Sequence, residues 1–258
     1  MTARDALGAA IDALTAAGCK TPRLDAELLI ADALGVDRGA LVMDPSLPVP
    51  GAAARVIGER VRRRVQREPV AYILGRKGFR RLELTVDWRV LIPRPETELL
   101  VEVALDLPAG ARVHDVGTGS GAVALALRDE RPDLVVSASD ASAAAVAAAS
   151  ANGLDAVEAV GLPPGEYDMV VANLPYVRED EWAALAPEIR LYEPREALVS
   201  GFDGLDAIRS VVGGAPHGLR LAFEHAPGQT EAVKRLLREP RTLLDLAGHP
   251  RVTVGVAP

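Results

Sequence analysis

The chain reads as an α/β protein in which a small helical domain and a linking β-hairpin precede a doubly wound, mostly parallel sheet of seven strands. Three observations predict this. Apolar residues recur at helical spacing between Ala3 and Gln66, strands and helices alternate from Arg94 onward, and a glycine-rich turn, Gly117-Thr118-Gly119-Ser120-Gly121, follows an apolar run with strand character.

Ala3 to Ala16 places Ala6, Leu7, Ala10, Ile11 and Leu14 on one face, and Pro22 opens a second helix carrying Leu24, Leu28, Leu29 and Leu34. Asp44-Pro45 and Pro48-Val49-Pro50-Gly51 interrupt the pattern before Ala52 to Gln66 resumes it, so three or four helices are expected. Leu82 to Val86 and Trp88 to Ile92 alternate around Asp87 as two short strands of a hairpin. The expected division is a helical domain at 1–75, a hairpin linker at 76–92 and the sheet domain at 93–258. Candidate strands are Arg112 to Val116, Leu134 to Ala138, Asp168 to Ala172, Ala197 to Ser200, Leu219 to Phe223, Thr242 to Asp245 and Val252 to Val256, with an antiparallel edge. Ala141 to Ala151, almost all alanine, is a helix ended by Asn152-Gly153.

With 258 residues, 49% hydrophobic content and a mean hydropathy of +0.13, the chain can bury a substantial core. The single Cys19 cannot form an internal disulfide, and four scattered histidines make no metal-ligand cluster, so a reducing cytoplasm is expected and no metal is. No apolar run approaches the roughly 18 residues of a membrane span, and Met1-Thr2-Ala3-Arg4-Asp5 lacks the apolar core of a signal peptide. A net charge of −7 argues against non-specific nucleic-acid binding. Between residues 55 and 94, however, twelve basic residues face four acidic ones, either as a solvated helix face and hairpin or as a docking surface for an acidic or RNA-bound partner.

The chemistry concentrates at two strand ends. Asn173-Leu174-Pro175-Tyr176 closes the apolar strand Asp168 to Ala172. An asparagine oxygen and the residue-174 carbonyl can accept the two hydrogens of a planar NH₂ group while the tyrosine ring covers its flat face. Glycines at 117, 119 and 121 let the backbone turn sharply and approach a ligand beside a helix N-terminus. Asp140, nineteen residues after Gly121, is placed to accept both hydroxyl hydrogens of a ribose, or alternatively to cap the alanine helix. In open parallel sheets ligands bind beyond the carboxyl ends of the strands. The pair of motifs reads as S-adenosylmethionine-dependent methyl transfer to nitrogen, whereas hydride transfer needs no Asn-x-Pro-Tyr. The activated methyl group leaves alignment and electrostatics as the protein's task.

A further stretch, Val90-Leu91-Ile92-Pro93-Arg94-Pro95-Glu96-Thr97-Glu98-Leu99-Leu100-Val101, resembles the signature of the release-factor glutamine methyltransferases, the HemK/PrmC family. The resemblance runs nearly end to end, through Glu68-Pro69-Val70-Ala71-Tyr72-Ile73-Leu74-Gly75, Asp115 to Gly121, Tyr192-Glu193-Pro194-Arg195-Glu196-Ala197-Leu198, Asp203-Gly204-Leu205-Asp206 and Asp245-Leu246-Ala247-Gly248. It implies a Rossmann-like class I methyltransferase domain and transfer of a methyl group to the side-chain amide nitrogen (N5) of the glutamine in the Gly-Gly-Gln motif of class I peptide-chain release factors. It also implies cofactor contacts from Gly117 to Gly121, Asp140 and Asn173, and a catalytic and substrate site of Asn173, Leu174, Pro175 and Tyr176, with the helical domain docking the release factor. Arg94 is expected at the substrate or the cofactor carboxylate, or in a helix-terminal salt bridge. Two departures stand out. Leu174 replaces the first proline of the usual Asn-Pro-Pro-Tyr, and the stretch from Asn152 to Tyr167 is contracted, with Ala159-Val160-Gly161-Leu162 lacking an acid expected to contact adenine.

Two other readings remain: a nucleic-acid adenine N6-methyltransferase, motivated by Asn173 to Tyr176 and the basic segment, and a non-catalytic paralogue binding a translation factor. Glu224-His225 is expected to be a strand-end polar pair satisfying loop backbone, or alternatively to approach the site, His114 a hydrogen-bonded core residue, and Trp88 and Trp182 packing anchors.

Overall fold

The computed structural model describes residues 1–258. They divide into a unit of Met1–Gly75 with Ala186–Tyr192 and a unit of Arg76–Leu185 with Glu193–Pro258. In chain order the first unit opens with α1 (Ala3–Ala16), α2 (Pro22–Leu34), α3 (Arg38–Met43), α4 (Gly51–Val65) and α5 (Val70–Leu74). The second continues with β1 (Arg76–Phe79), β2 (Leu82–Thr85), α6 (Glu98–Leu105), β3 (Arg112–Val116), α7 (Ala122–Glu130), β4 (Val135–Asp140), α8 (Ala143–Ala151), β5 (Val157–Glu158) and β6 (Met169–Ala172). After α9 (Pro187–Tyr192), which belongs to the first unit, come α10 (Asp206–Gly214), β7 (Arg220–Glu224), α11 (Thr230–Lys234), β8 (Arg238–Leu244) and β9 (Pro250–Val256).

Local chemistry accounts for the helix ends. Thr2 caps α1 in a reciprocal box with Asp5, each satisfying a backbone N–H of the other. Pro22 occupies the first turn of α2, where its missing N–H costs nothing, and Gly35 ends the helix at φ +67°. The apolar faces of the first helices meet in a core containing Leu14, Ile30, Leu41 and Ile57. Each such side chain contributes roughly 1.5–3 kcal/mol by leaving water. No helix is long and apolar enough to cross a membrane.

The seven-stranded sheet has the order β5-β4-β3-β6-β7-β9-β8. The pairs from β5 to β7 are parallel, and β9 runs antiparallel to both β7 and β8. The chain order reverses between β3 and β6, which opens a crevice at the carboxyl ends of those strands. Behind it, Phe223, Leu221, Leu205, Ile208 and Val170 form an apolar core.

Three expected elements are corrected. The hairpin turns at Arg80-Arg81, pairing Arg76 with Thr85 and Phe79 with Leu82. Trp88 to Ile92 is no strand, because Asp87 takes the Arg89 backbone and guanidinium onto its own carboxylate and the Val90 N–H closes a turn onto the Asp87 carbonyl (3.1 Å). Trp88 is exposed rather than an anchor. Ala197 to Ser200 makes only an isolated bridge, Val177 with Val199, behind a short 3₁₀ turn at Arg195–Ala197. The seventh strand is instead the two-residue β5, inside the contracted region. β8 begins at Arg238 rather than Thr242 and is irregular between Arg238 and Arg241.

Ion pairs absorb much of the basic segment. Arg60 meets Asp32, Arg63 meets Glu68, Arg64 meets Asp25 and Glu188, Arg67 meets Glu188, Arg80 meets Glu130 and Arg89 meets Asp87. Neutralised in this way, these arginines hold the fold together and leave less charge for a phosphate backbone.

Candidate active site

A cavity of about 500 Å³ lies at the carboxyl ends of β3, β4 and β6. Gly117 to Ser120, Asp140, Asn173, Leu174 and Pro175 line it, with Val90, Pro93 and Thr97 on one side and Asp206, Ala207 and Ser210 of α10 on another. The glycine turn is fastened to β4: the Gly117 and Thr118 N–H groups both donate to the Ser139 carbonyl, at 2.8 and 3.0 Å. Gly117, Gly119 and Gly121 have φ of +73°, +56° and +86°, a region that a Cβ makes costly. A Cβ on Gly117 would also stand 3.0 Å from the Leu174 side chain.

Two carboxylates frame this turn. Asp115, fully enclosed, accepts the Thr118 hydroxyl at 2.7 Å, and burial pushes its acid up to about 7. Asp140 accepts the Gly119 N–H on one oxygen and the Ser142 N–H on the other, both at 2.9 Å, while burial raises its pKa. The helix cap is Ser142, whose hydroxyl accepts the Ala145 N–H, so Asp140 is free of that task. Each Asp140 oxygen keeps a lone pair for a further donor.

The loop after β6 is held from behind. The Asn173 side-chain amide donates from Nδ2 to Thr97 Oγ1 at 2.9 Å, and the Thr97 hydroxyl donates to Glu224 Oε2 at 2.7 Å. Tyr176 donates its hydroxyl to Glu224 Oε1 at 3.3 Å. Thr97 is 4% exposed and Glu224 2% exposed, and burial pushes the Glu224 acid up to about 7. Leu174 turns its side chain into the core against Gly117, an inward packing that accommodates leucine where proline is usual.

Tyr176 and Arg94 stand apart from the cavity wall. The Tyr176 phenol points to Glu224, and Arg94 pairs with the buried Glu193, whose other oxygen accepts the Ile92 N–H at 3.1 Å. That pairing fastens the loop leading to Thr97. In the contracted region Ala159, Val160 and Gly161 line the cavity, while Leu162 packs against the core; none of these four carries an acid. His114 is a core residue bonded to Ser137 and Ser139, with burial holding its pKa near 4. Trp182 carries the Arg195 guanidinium over its ring, 5.4 Å from the centroid.

Residues 5–75 match the PrmC N-terminal domain, and residues 95–201 match the methyltransferase small domain. The release factor glutamine methyltransferase of Xylella fastidiosa is 42% identical, over 95% of this chain and 97% of the relative. The chain belongs to the release factor glutamine methyltransferase family. Its relative of the same designation in Caulobacter vibrioides is 38% identical over 96% of this chain and 94% of its own length, and that in Pseudomonas aeruginosa 43% identical over 90% and 92%. Among solved structures, the hMettl16 catalytic domain in complex with an RNA hairpin superimposes with a TM-score of 0.54, covering 67% of this chain and 74% of its own, at 12% identity. That likeness reports the fold alone.

For this family member, residue patterns gave Glu224 an approach to the site only as a second reading behind a strand-end polar pair satisfying loop backbone; its partners are instead the side chains of Thr97 and Tyr176. The sequence signal was present: an acid closing an apolar strand. Only the parallel pairing of β6 with β7 brings its carboxylate behind Asn173.

Proposed function

We propose that this chain is a cytoplasmic enzyme that transfers a methyl group to the side-chain amide nitrogen (N5) of the Gly-Gly-Gln glutamine in class I peptide-chain release factors. The observation that carries this reading is family membership at about 40% identity across nearly the whole chain.

The residues present fit S-adenosylmethionine: three glycines at positive φ leave the turn free of Cβ atoms, and a carboxylate with spare acceptor capacity stands at the end of β4. When bound, that cofactor supplies an electrophilic methyl on sulfur. Gly117 to Gly121 would hold its methionyl part and Asp140 would accept the hydrogens of its ribose hydroxyls. Ala159 to Gly161 and α10, which line the cavity, would enclose its adenine without a carboxylate from the Ala159–Leu162 stretch. Asn173 Oδ1 and the Leu174 carbonyl accept the two amide hydrogens of the glutamine, turning its nitrogen toward the methyl group. Tyr176 and Pro175 shape that loop, Arg94 braces the approach to Thr97, and the helical unit Met1–Gly75 docks the release factor.

The direct test is methyl transfer from labelled cofactor to a purified release factor beside the same factor with its motif glutamine replaced by alanine. Label on the intact factor alone is expected. Label on neither, with cofactor bound, directs the search to nucleic acid, and failure to bind cofactor identifies a non-catalytic paralogue.

Asp140→Ala is expected to weaken cofactor binding roughly 100-fold. The hydrogen bonds Asp140 would accept from the ribose hydroxyls are lost, at roughly 1.5–3 kcal/mol each, and the Gly119 N–H loses the carboxylate that anchors the turn. Calorimetry with S-adenosylhomocysteine measures it.

A further inference from the structure

We propose that Thr97 and Glu224 decide which end of the Asn173 side-chain amide faces the cavity, making Glu224 a positioning residue whose ionised form keeps the amide oxygen turned toward the substrate. The inference rests on the reading that Asn173 accepts a hydrogen of the substrate amide.

It follows from counting protons along one buried chain. Thr97 has a single hydroxyl hydrogen. With Glu224 ionised, the carboxylate can only accept, so that hydrogen goes to Glu224 Oε2 at 2.7 Å. The Thr97 oxygen is then left as an acceptor, and the Asn173 group 2.9 Å away must be the NH₂ end. Oδ1 is thereby directed away from Thr97 and left for the cavity that Asn173 lines. An amide substrate brings two N–H donors, and this orientation meets them with an acceptor.

Protonating Glu224 reverses the polarity of the chain. An acid hydrogen on Oε2 donates to Thr97, Thr97 donates onward, and the Asn173 amide must rotate to offer Oδ1 to it. The NH₂ end then faces the cavity and opposes the substrate's own N–H groups. Such a reversal leaves every buried group hydrogen-bonded, so packing does not resist it.

The surroundings place the change in an accessible range. Burial raises the Glu224 acid, the hydrogen bonds from Thr97 and Tyr176 lower it, Glu96 raises it, and Arg251 lowers it, for a result of about 7. Arg251 is itself shared with Asp245 and Glu96, which limits its pull on Glu224. On the far side, Tyr176 is held in its phenol form by burial and by Glu224, against opposing effects of Arg251 and Arg94. The neighbouring His225 is bonded to Thr253 and the Ala226 carbonyl, and burial keeps it neutral. Glu224 is therefore the group bonded into this chain that changes charge near neutrality; Asp115, which burial also pushes up to about 7, is bonded to Thr118 and touches neither Thr97 nor Asn173 in this chain. The productive form exists above about 7 and is lost as the pH falls through it.

The test is kcat against pH at saturating cofactor and release factor, for the parent chain and for Glu224→Gln, Thr97→Val and Thr97→Ser. The parent is expected to lose about tenfold between its plateau and pH 6, following a single ionisation. Glu224→Gln is expected to turn over at a reduced but equal rate at pH 6 and pH 8, since its amide cannot reverse by titration. Thr97→Val interrupts the chain and should lose both rate and acid limb while binding cofactor as the parent does, whereas Thr97→Ser should restore the parent profile. A parent rate flat from pH 6 to 8, or an acid limb unchanged in Thr97→Val or Glu224→Gln, overturns the inference but leaves the functional reading standing. No transfer by the parent at any pH, with cofactor bound, overturns both.

Discussion

Asn173→Ala is expected to lower kcat by about 10²–10³-fold, the range found when one preorganised polar partner is deleted from a reacting site. The physical reason is double. The substrate amide loses the acceptor that orients one of its hydrogens, so the nitrogen lone pair samples directions that miss the methyl carbon. Thr97 also loses the donor at 2.9 Å, although its bond to Glu224 survives. The loss should fall on kcat more than on cofactor affinity, because the glycine turn and Asp140 stand on other strands. Asn173→Asp is expected to be worse than the alanine variant. It keeps the shape but replaces a donor by a second carboxylate, and Thr97 cannot donate its one hydrogen to both. Single-turnover methyl transfer with cofactor prebound separates the chemical step from binding. A loss smaller than about tenfold in kcat would remove Asn173 from the position of substrate acceptor.

Elements whose chemistry is local were legible in the sequence, and those decided by distant partners were not. α1 spans Ala3–Ala16 as its apolar spacing indicated, and the Gly117 turn and Asn173 loop lie at the strand ends where their residues placed them. The hairpin failed because alternation does not name a partner: Leu82–Thr85 pairs back with Arg76–Phe79, and a side-chain turn at Asp87 takes the residues after it out of the strand. β5 is two residues long, too short to show a period, and exists because Ser139 and Asp140 offer it an edge. Asp140 was visible by its spacing from Gly121, whereas for Glu224 only its strand-end position was, and its partners were not, since Thr97 and Tyr176 meet it across separations of 127 and 48 residues. Arg94 was open between a ligand contact and a salt bridge in the sequence, and the Glu193 that pairs with it lies 99 residues onward.

Arg64→Met is expected to destabilise the first unit by about 3–5 kcal/mol, the range for removing one member of a buried ion pair. Arg64 is 5% exposed and sits among more partners than any other charge in that unit. Its Nε donates to Asp25 at 2.7 Å, one terminal nitrogen to Glu188 at 2.9 Å, and the other to the Glu68 carbonyl at 3.2 Å. The two carboxylates respond differently to its loss. Glu188 keeps Arg67, which holds both of its oxygens at 2.7 Å. Asp25, also 5% exposed, keeps only the Thr21 hydroxyl at 2.8 Å and becomes a buried charge without a cation. Most of the penalty therefore belongs to Asp25. Arg64→Met with Asp25→Leu should then be more stable than Arg64→Met alone by about 2 kcal/mol or more, even though it removes a further native group. Thermal unfolding of the full chain, with hydrogen exchange read on α2 and α4, measures both variants. Equal stability of the single and double variants would show that the stranded carboxylate is not what the arginine compensates, and would shift the penalty to the Glu188 contact that ties α9 to this unit.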